Sequence, residues 1–394
     1  MKLSHNYKLI YICENDLSIP IGGTVHVNEI LKSLNKFHPD VLAVVPMYSE
    51  KPLLISPEVS KIIIKTPNRR VINWLYFYLA SVIMIIRSYF SNPRLVVYSR
   101  EMPLNIFFLF CIKIMKIPLI LEINSSIKTE LDSLNKKSFE KIITSAIQRF
   151  IIRFADRVVS VSETLKNDLV KTARVNPACI NVIYNGIPAD IAGQNADSAN
   201  IFKYFNIHNP FIIGFIGSCY PYHDIDSLIS VTPQILKRFP DTRFFIGGDG
   251  PVLTKWKRII KTMQLEHYFH FHGYVNPEQV PGIIQAFHCC VSIYKHDVKG
   301  PGMKIFDYLI QNKAVIVSSQ WESRKLFRDF KNIIWTEIEN PSSILSAYTE
   351  VRNKYDVYNK FDSRSMILKK FTWDHTAKKI LDTIHETICA ELPE

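Results

Sequence analysis

The sequence predicts an α/β protein built from two doubly wound domains in series. Short apolar runs alternate with longer helical patterns through both halves of the chain, which is typical of parallel strands joined by helical crossovers. A length of 394 residues is too great for one ordinary core and suits two domains. A polar stretch without an apolar strand separates the two alternating halves and marks a domain boundary.

In the first half, short apolar runs predict strands at 9–13, 41–45, 95–98, 119–123, 157–161 and 180–184. Helical patterns lie between them at 25–36, 74–87, 104–115, 141–154 and 163–172. The second half predicts strands at 211–216, 243–247, 269–271, 289–293 and 314–318. Its helices are expected at 226–238, 252–263, 281–286 and 304–311, and a last one at 373–392. We therefore expect domains at 1–190 and 210–372, a linker at 191–209 and a C-terminal helix within 373–394.

The composition is that of a folded protein with a basic surface. Hydrophobic residues make up 47% of the chain and charged residues 21%, which argues against disorder. The net charge of +12 favours an anionic partner, either nucleic acid, an acidic membrane or a phosphorylated ligand. We expect no nucleic-acid partner, because no basic helix with interleaved base-stacking aromatics occurs outside the apolar segment of the first half. The seven cysteines include no CxxC pair, so we expect reduced thiols in a cytosolic protein and no metal site.

Residues 71–90 form a nearly continuous apolar and aromatic segment, interrupted by Asn73, Ser81, Arg87 and Ser88. A bilayer-spanning helix needs about 20 apolar residues, and the uninterrupted run is shorter. The pattern therefore favours an amphipathic helix that is buried or faces a membrane. Lysines and arginines are frequent around it, which fits contact with an anionic leaflet and a solvated basic face equally well.

Glycines follow the first strand and open a helix at Gly22 and Gly23. Two glycines at this point let backbone N–H groups approach a ligand phosphate, and the helix N-terminus favours negative charge. A tight strand-to-helix turn without a ligand explains the same pattern, so both interpretations stay open.

Three further strand ends in the second half carry glycine, and ligands of open α/β sheets bind beyond the carboxyl ends of strands. The first is Gly217-Ser218, followed by His223, which is either a phosphate donor or an ordinary loop histidine. The second is the Gly248-Asp249-Gly250 turn, whose glycines allow close approach of the backbone to a nucleotide or simply form a turn.

The third glycine-bearing strand end opens a helix at Gly302-Met303-Lys304 and carries Asp307 one turn further along. Lys304 together with the helix N-terminus suits a diphosphate, and Asp307 can accept hydrogen bonds from ribose hydroxyls. The alternative is an acidic residue that complements the helix dipole beside a solvated lysine.

In this order, the segments GGTVH (22–26), LILEIN (119–124), ADRVVSVSE (155–163), VIYNG (182–186), GGDGP (247–251) and GMKIFDYL (302–309) resemble those of glycosyltransferase family 4 (group 1), which has the GT-B fold. The resemblance extends over nearly the whole chain. It implies two Rossmann-like domains that face a central cleft, with a C-terminal helix that returns to the first domain.

The resemblance also implies an activity. Family members of this kind are retaining transferases that move a sugar from a UDP- or GDP-sugar to a hydroxyl of a glycan or lipid-linked acceptor. The nucleotide sugar is a co-substrate and no metal is obligatory. The donor binds mainly to the second domain and the acceptor to the first. We expect a role in capsule, O-antigen or other cell-surface polysaccharide synthesis, in the cytoplasm or peripherally on the anionic inner leaflet.

By this resemblance, the candidate donor-binding residues are Gly22, Gly23, Gly217, Ser218, His223, Gly248, Asp249, Gly250, Met303, Lys304 and Asp307. The candidate catalytic residues are Glu122, Asn124, Asp297 and Lys304. Glu122 is expected to orient the acceptor or, as a second choice, to act as a base.

The chain departs from the family pattern at several positions. Lys299 occupies the place of the first glutamate of the family's carboxylate pair, and Asp297 is the nearest substitute. Ser218 and His223 replace an arginine and a lysine that often hold the diphosphate, so Lys304 is expected to carry more of that charge. The departures motivate an alternative, a catalytically silent GT-B subunit that binds within a polysaccharide-synthesis complex.

Overall fold

The computed structural model describes residues 7–19, 22–66, 70–92, 94–100, 105–126, 138–189, 200–295 and 302–391. Its internal contacts divide the chain into two compact units. The first unit contains Met1–Gly186 together with Trp373–Glu394, and the second contains Ile187–Thr372. Each unit holds one parallel sheet with apolar cores on both faces. The predicted fold class, with two Rossmann-like domains, is confirmed.

The first unit has a seven-stranded parallel sheet of order β3-β2-β1-β4-β5-β6-β7. Its strands are β1 (Lys8–Ile12), β2 (Val41–Met47), β3 (Lys61–Lys65), β4 (Leu95–Arg100), β5 (Leu119–Ile123), β6 (Arg157–Ser160) and β7 (Ile180–Val182). Its helices are α1 (Gly22–Phe37), α2 (Arg70–Ser91), α3 (Ile106–Ile114), α4 (Ser138–Phe154), α5 (Glu163–Ala173) and, from the end of the chain, α14 (Trp373–Glu391).

The second unit has a six-stranded parallel sheet of order β10-β9-β8-β11-β12-β13. Its strands are β8 (Phe211–Ile216), β9 (Thr242–Gly247), β10 (Phe269–Gly273), β11 (Cys289–Ser292), β12 (Ala314–Ser318) and β13 (Ile333–Thr336). Its helices are α6 (Ile225–Arg238), α7 (Leu253–Thr262), α8 (Val280–Gln285), α9 (Met303–Ile310), α10 (Trp321–Leu326), α11 (Pro341–Asn353), α12 (Tyr355–Asn359) and α13 (Ser363–Lys370).

Alternate residues of β1 enter different cores, because successive side chains of a strand point to opposite faces. Ile10 packs with α2 to α5, whereas Leu9 packs with α1 and α14. The C-terminal helix α14 therefore lies on the first unit, where Asn181 Nδ2 donates to Thr383 Oγ1 at 3.0 Å. This confirms the predicted return of the last helix to the first domain.

In both sheets the strands are added first on one side of the unit's first strand, β1 or β8, and then on its other side. β1 lies between β2 and β4, and β8 lies between β9 and β11. Such a reversal opens a crevice at the carboxyl ends of these strands, where α/β proteins bind ligands. The glycine segments singled out from the sequence follow β1, β8, β9 and β11, so the topology places them at these edges.

Some expectations were wrong in detail. β3 and β13 were not predicted; each is an edge strand of its sheet, and only one side chain of β3 is buried. The predicted linker 191–209 also differs from the structure where residues 200–209 are described. Ile201 and Phe205 are buried in a core of the second unit, so this stretch belongs to that unit. Its helical turn at Ile201–Tyr204 is too short to give a periodic signal.

The apolar segment of the first half forms α2, one face of which is buried and the other exposed. Among the residues that the structure describes, no helix is both long and apolar enough to cross a membrane.

Candidate functional site

The loops that follow β8, β9 and β10 are hydrogen-bonded to one another along one edge of the second unit. Gly217 N donates to Gly247 O at 2.9 Å, and Cys219 N donates to Asp249 O at 2.8 Å. Gly248 N donates to Gly273 O at 2.6 Å. Two of the predicted glycine-bearing strand ends therefore form a single continuous backbone surface.

Glycine is required here because the two loops pack backbone to backbone. At Gly248, with φ of +131°, an added Cβ would lie 2.0 Å from the carbonyl oxygen of Gly217. At Gly217, with φ of +151°, it would lie 2.9 Å from Cε of Lys304. Side chains rarely adopt these backbone conformations. The absence of a side chain at Gly217 leaves the space that Lys304 occupies.

Lys304 lies in the first turn of α9 and reaches across to the loop after β8. Its Nζ is 2.9 Å from Nε2 of His223. The same atom lies over two aromatic rings, 5.1 Å from the centroid of Phe215 and 5.3 Å from that of Tyr294. In the described part of the chain it makes no ion pair. Burial lowers the pKa of Lys304 to about 7, although Asp307 and Cys219 oppose the shift.

His223 is buried and neutral. Burial and the neighbouring Lys304 lower its pKa far below the usual value, so Nε2 accepts a hydrogen bond from the ammonium. Its Nδ1 is buried without a hydrogen-bond partner among the described residues. A lysine that ends on a neutral histidine instead of a carboxylate keeps its positive charge available for an anion.

Asp307 lies one turn after Lys304 on α9 and is partly buried. The described residues give its carboxylate no hydrogen bond and no ion pair. Burial raises the pKa of Asp307 to about 6, against the opposing effect of Lys304. Within the described ranges, a carboxylate without a hydrogen-bond partner thus lies one turn from a lysine without an ion pair, and a polar ligand would complete this arrangement.

The start of α9 is held in place by contacts to the strand ends. Tyr308 Oη accepts a hydrogen bond from Ile216 N at 2.9 Å. At Gly302, with φ of +61°, an added Cβ would lie 2.0 Å from the Tyr294 hydroxyl. The first backbone N–H groups of α9 therefore lie at the same edge as the loop after β8. Met303, next in the chain, is exposed.

The other predicted donor residues lie nearby or outside the described chain. Ser218 is exposed, and Asp249 accepts a hydrogen bond from Gly250 N at 2.7 Å, which stabilises its own turn. Asp297 lies outside the described residues, so its role stays a prediction.

Two tyrosines in the loop after β8 were not predicted as site residues. Tyr220 and Tyr222 are about half exposed and their rings stack, with centroids 5.6 Å apart and planes 5° from parallel. Lys295 N donates to Tyr222 O at 2.8 Å, which ties this loop to the segment after β11. The Tyr-Pro-Tyr sequence just before His223 was the available signal.

In the first unit, Glu122 is buried at the end of β5, with 2% of its surface exposed. Tyr98 Oη donates to one carboxylate oxygen at 2.7 Å and Asn124 Nδ2 to the other at 2.6 Å. His26 Nε2 lies 2.8 Å from the second oxygen. Burial alone would raise the pKa of Glu122, but His26, Arg100 and Asn124 hold it at about 2.

This environment argues against the second of the two roles expected for Glu122, that of a base, and leaves the first, orientation of the acceptor, as a prediction. Both of its oxygens are already engaged, and a carboxylate with so low a pKa is a poor proton acceptor. Glu122, at the end of β5, instead interacts electrostatically with Arg100 at the end of β4. Arg100 Nη1 in turn donates a hydrogen bond to Gly23 O, in the turn after β1, at 3.2 Å. The turn that contains Gly22 and Gly23 is thus contacted by Arg100 and not by Glu122 itself.

His26 and Arg100 are the site residues of the first unit that sequence reasoning did not assign. His26 lies in the first turns of α1, and its ring meets Trp373 of α14 edge-on with centroids 5.0 Å apart. Arg100 is the last residue of β4. Within the described ranges, no group of three or more His, Cys, Asp or Glu residues is arranged to hold a metal ion.

The fold is that of a GT-B glycosyltransferase. The model of Glycosyltransferase Family 4 matches residues 21–191, and that of Glycosyl transferases group 1 matches residues 197–365. The chain belongs to glycosyltransferase family 4 (group 1), as the sequence resemblance implied.

Its curated relatives are distant. A phosphatidylinositol N-acetylglucosaminyltransferase gpi3 subunit of Schizosaccharomyces pombe is 29% identical over 64% of this chain and 53% of its own length. A poly(ribitol-phosphate) alpha-N-acetylglucosaminyltransferase of Staphylococcus aureus is 26% identical over 49% of this chain and 41% of its own length. The match covers only 31% of the corresponding Saccharomyces cerevisiae subunit. The chain thus spans about a third to a half of these relatives.

Solved structures resemble the protein over nearly its whole length. Anabaena HepE in complex with UDP superimposes with a TM-score of 0.74 at 13% identity, covering 96% of this chain and all (100%) of that one. WaaG, a glycosyltransferase involved in lipopolysaccharide biosynthesis, gives 0.66 at 12% identity, with 95% and 99% covered. At such low identity the likeness shows the shared fold.

Proposed function

We propose that the protein is a retaining glycosyltransferase that moves a sugar from a nucleoside diphosphate sugar to a hydroxyl of a glycan or lipid-linked acceptor. The observation that carries this proposal is the first turn of α9, where neither Lys304 nor Asp307 makes an ion pair with any residue in the described part of the chain. HepE, a protein of the same fold, forms complexes with UDP and with UDP-glucose. UDP is therefore the nucleotide to test before GDP.

The donor would bind to the second unit. Lys304 and the N-terminal N–H groups of α9 would stabilise the diphosphate as it leaves, because fixed positive charge at a developing anion lowers the barrier. Asp307 would accept hydrogen bonds from the ribose hydroxyls. The backbone surface of Gly217, Ser218 and the Gly248–Gly250 turn would border the nucleotide, and Tyr220 and Tyr222 would supply rings for stacking.

In a retaining reaction the acceptor hydroxyl attacks the anomeric carbon from the face that the diphosphate leaves. The C–O bond to the acceptor forms as the bond to the diphosphate breaks, and the hydroxyl proton passes to a donor phosphate oxygen. No protein base and no metal are required for this step. Asp297 would contact the donor sugar in place of the family glutamate.

The acceptor would bind to the first unit. The Glu122 network would position Gly22 and Gly23, and Asn124, which is partly exposed, would contact the acceptor or the donor phosphates. Two relatives are named for anionic acceptors, phosphatidylinositol and poly(ribitol-phosphate), and a chain of net charge +12 suits an acceptor of that kind. We propose a carrier-linked surface glycan, such as capsule or O-antigen, assembled at the cytoplasmic face of a membrane.

The test is nucleotide binding followed by transfer. Thermal unfolding of the purified protein is measured against UDP, GDP and a panel of their sugars. A donor at 100 times its dissociation constant should add about 2.7 kcal/mol of apparent stability. The stabilising donor is then incubated with a lipid extract and release of the nucleoside diphosphate is followed. Binding without release would favour the silent-subunit alternative, and no binding by any nucleotide would overturn the proposal.

A further inference from the structure

Three consecutive helices, α2, α3 and α4, cover the same face of the sheet in the first unit and together build one side of its core. Each also exposes a stripe of large apolar side chains at helical spacing. On α2 the stripe contains Leu75, Leu79, Ile83, Ile86 and Phe90, on α3 Phe107, Phe110 and Ile114, and on α4 Ile142, Ile143, Phe150 and Phe154. We call these residues the three-helix face.

The side chains of the three-helix face do not contribute to the core of the first unit. The opposite sides of the helices already fill the core, for example with Tyr78, Phe108 and Ile151, whose exposed fractions are 5% or less. By contrast, Phe90 is 82% exposed and Ile114 is 79% exposed. Scattered exposed apolar residues are ordinary, but here they lie in stripes on three neighbouring helices. Extended exposed apolar surfaces of this kind mark interaction sites.

The charges around the face indicate what covers it. Over α2, α3 and α4 the sequence contains six basic residues, Arg70, Arg87, Lys113, Lys141, Arg149 and Arg153, and a single acid, Glu140. Lys113 is ion-paired with Asp156, just beyond α4, which leaves five basic residues against Glu140. Arg87 and Arg149 are exposed. Apolar stripes bordered by basic side chains are typical of helices that lie in the interface of an anionic membrane. A second copy of the chain would instead bring like charges together.

We propose that the three-helix face docks on the anionic leaflet of a lipid bilayer. The apolar stripes enter the boundary between headgroups and acyl chains, and the basic side chains contact lipid phosphates. Docking itself is independent of the proposed sugar transfer, but its use to reach a lipid-linked acceptor rests on that function.

A direct connection runs from the docked helices to the candidate acceptor edge. Tyr78, on the buried side of α2, donates a hydrogen bond to the carboxylate of Glu14 just after β1. The next residue, Asn15, lies beside Gly23, with Nδ2 3.6 Å from the position of a Cβ there. A leaflet that holds α2 therefore also holds the strand ends to which a carrier-linked acceptor would be delivered.

The experiment is cosedimentation of the full chain with vesicles of equal parts phosphatidylglycerol and phosphatidylcholine, and with vesicles of phosphatidylcholine alone. We expect binding to the anionic vesicles that weakens with salt. The double variant Ile83→Glu, Phe110→Glu should lower the partition coefficient by about tenfold or more, since two apolar contacts become charges. Val357→Glu, at a residue 68% exposed on the second unit, is the matched control and should bind like wild type.

Nucleotide-induced thermal stabilisation checks that the double variant is folded and keeps its donor site, and light scattering checks for self-association. Equal partitioning of wild type and double variant would overturn the proposal, as would a dimer that the double variant abolishes. If wild type binds vesicles but transfers no sugar, the proposed function is rejected, whereas the proposal that the three-helix face docks on a membrane stands.

Discussion

Lys304 Nζ lies 2.9 Å from Nε2 of His223, and the two residues come from different elements of the second unit, separated by 81 positions in sequence. The pair occupies the region where family members often hold a diphosphate with an arginine and a lysine. Among the described residues, this pair consists of one ammonium next to a neutral imidazole and two aromatic rings.

Replacement of Lys304 by alanine should abolish most transfer. Loss of the cation in the first turn of α9 is expected to cut kcat/KM by about 10²- to 10³-fold, the effect of removing one strong donor to a developing anion. The unliganded variant should be at least as stable as wild type, because burial disfavours this charge. Lys331→Ala, at an exposed lysine of the same unit, is the control. Near-normal turnover of Lys304→Ala would remove Lys304 from the mechanism.

Donor binding should be strongest between about pH 6 and about pH 7. Asp307 must be ionised to accept from ribose, and its pKa is about 6. Lys304 must be protonated to bind the diphosphate, and its pKa is about 7. The association constant for a nucleotide sugar, measured by calorimetry, should therefore fall on both sides of this window. The alkaline fall should disappear in Lys304→Ala, and its persistence there would assign it to another group.

Lys304 also affects the stability of the unliganded protein, with a definite sign. Lys304 has a lower pKa in the folded than in the unfolded state, so the unfolded state binds more protons between about pH 7 and the ordinary lysine pKa. Its charged form destabilises the fold, and this contribution is relieved as the pH rises. Wild type should gain stability relative to Lys304→Ala from pH 7 to pH 9 in urea titrations. A constant difference would contradict the depressed pKa.

Glu122→Gln should destabilise the first unit without abolishing donor binding. The carboxylate is buried against His26 and Arg100. A neutral replacement removes the negative charge that these two side chains face, which should lower the free energy of unfolding by about 3 kcal/mol. Because the folded pKa is about 2, the stabilisation exists above the unfolded pKa and is lost as the pH falls toward 2. Urea unfolding at pH 7 and pH 3 should show the difference shrinking. A stable variant that loses only turnover would restore the role of base.

Gly217→Ala should weaken nucleotide binding and stability together. The added Cβ would lie 2.9 Å from Cε of Lys304 in a backbone conformation with φ of +151°, which costs about 1–3 kcal/mol. Gly22→Ala is the matched comparison for stability, because nothing lies within 4 Å of a Cβ at that position. Thermal unfolding with and without nucleotide measures both effects. If the two variants unfold at the same temperature with and without nucleotide, the position of Lys304 does not depend on the absence of a side chain at Gly217.

Local patterns in the chain were enough to predict the architecture. Alternating apolar runs of strand and helix length report burial between layers, so the parallel sheets and the last helix were predicted correctly. Strand ends that carry glycine, and the helix start with Lys304 and Asp307, are contiguous segments whose chemistry shows in the sequence. The short edge strands β3 and β13 lacked such a pattern, and the buried residues Ile201 and Phe205 were hidden in a polar stretch.

Only the tertiary structure decided which of these residues meet. Lys304 reaches His223 because β8 and β11 are neighbours in the sheet, and strand order is not encoded in any local pattern. Likewise Glu122 changed from a candidate base to a buried charge because Tyr98 and His26 arrive from other elements. Burial and partners set the pKa of a carboxylate, and both depend on contacts between residues far apart in the chain.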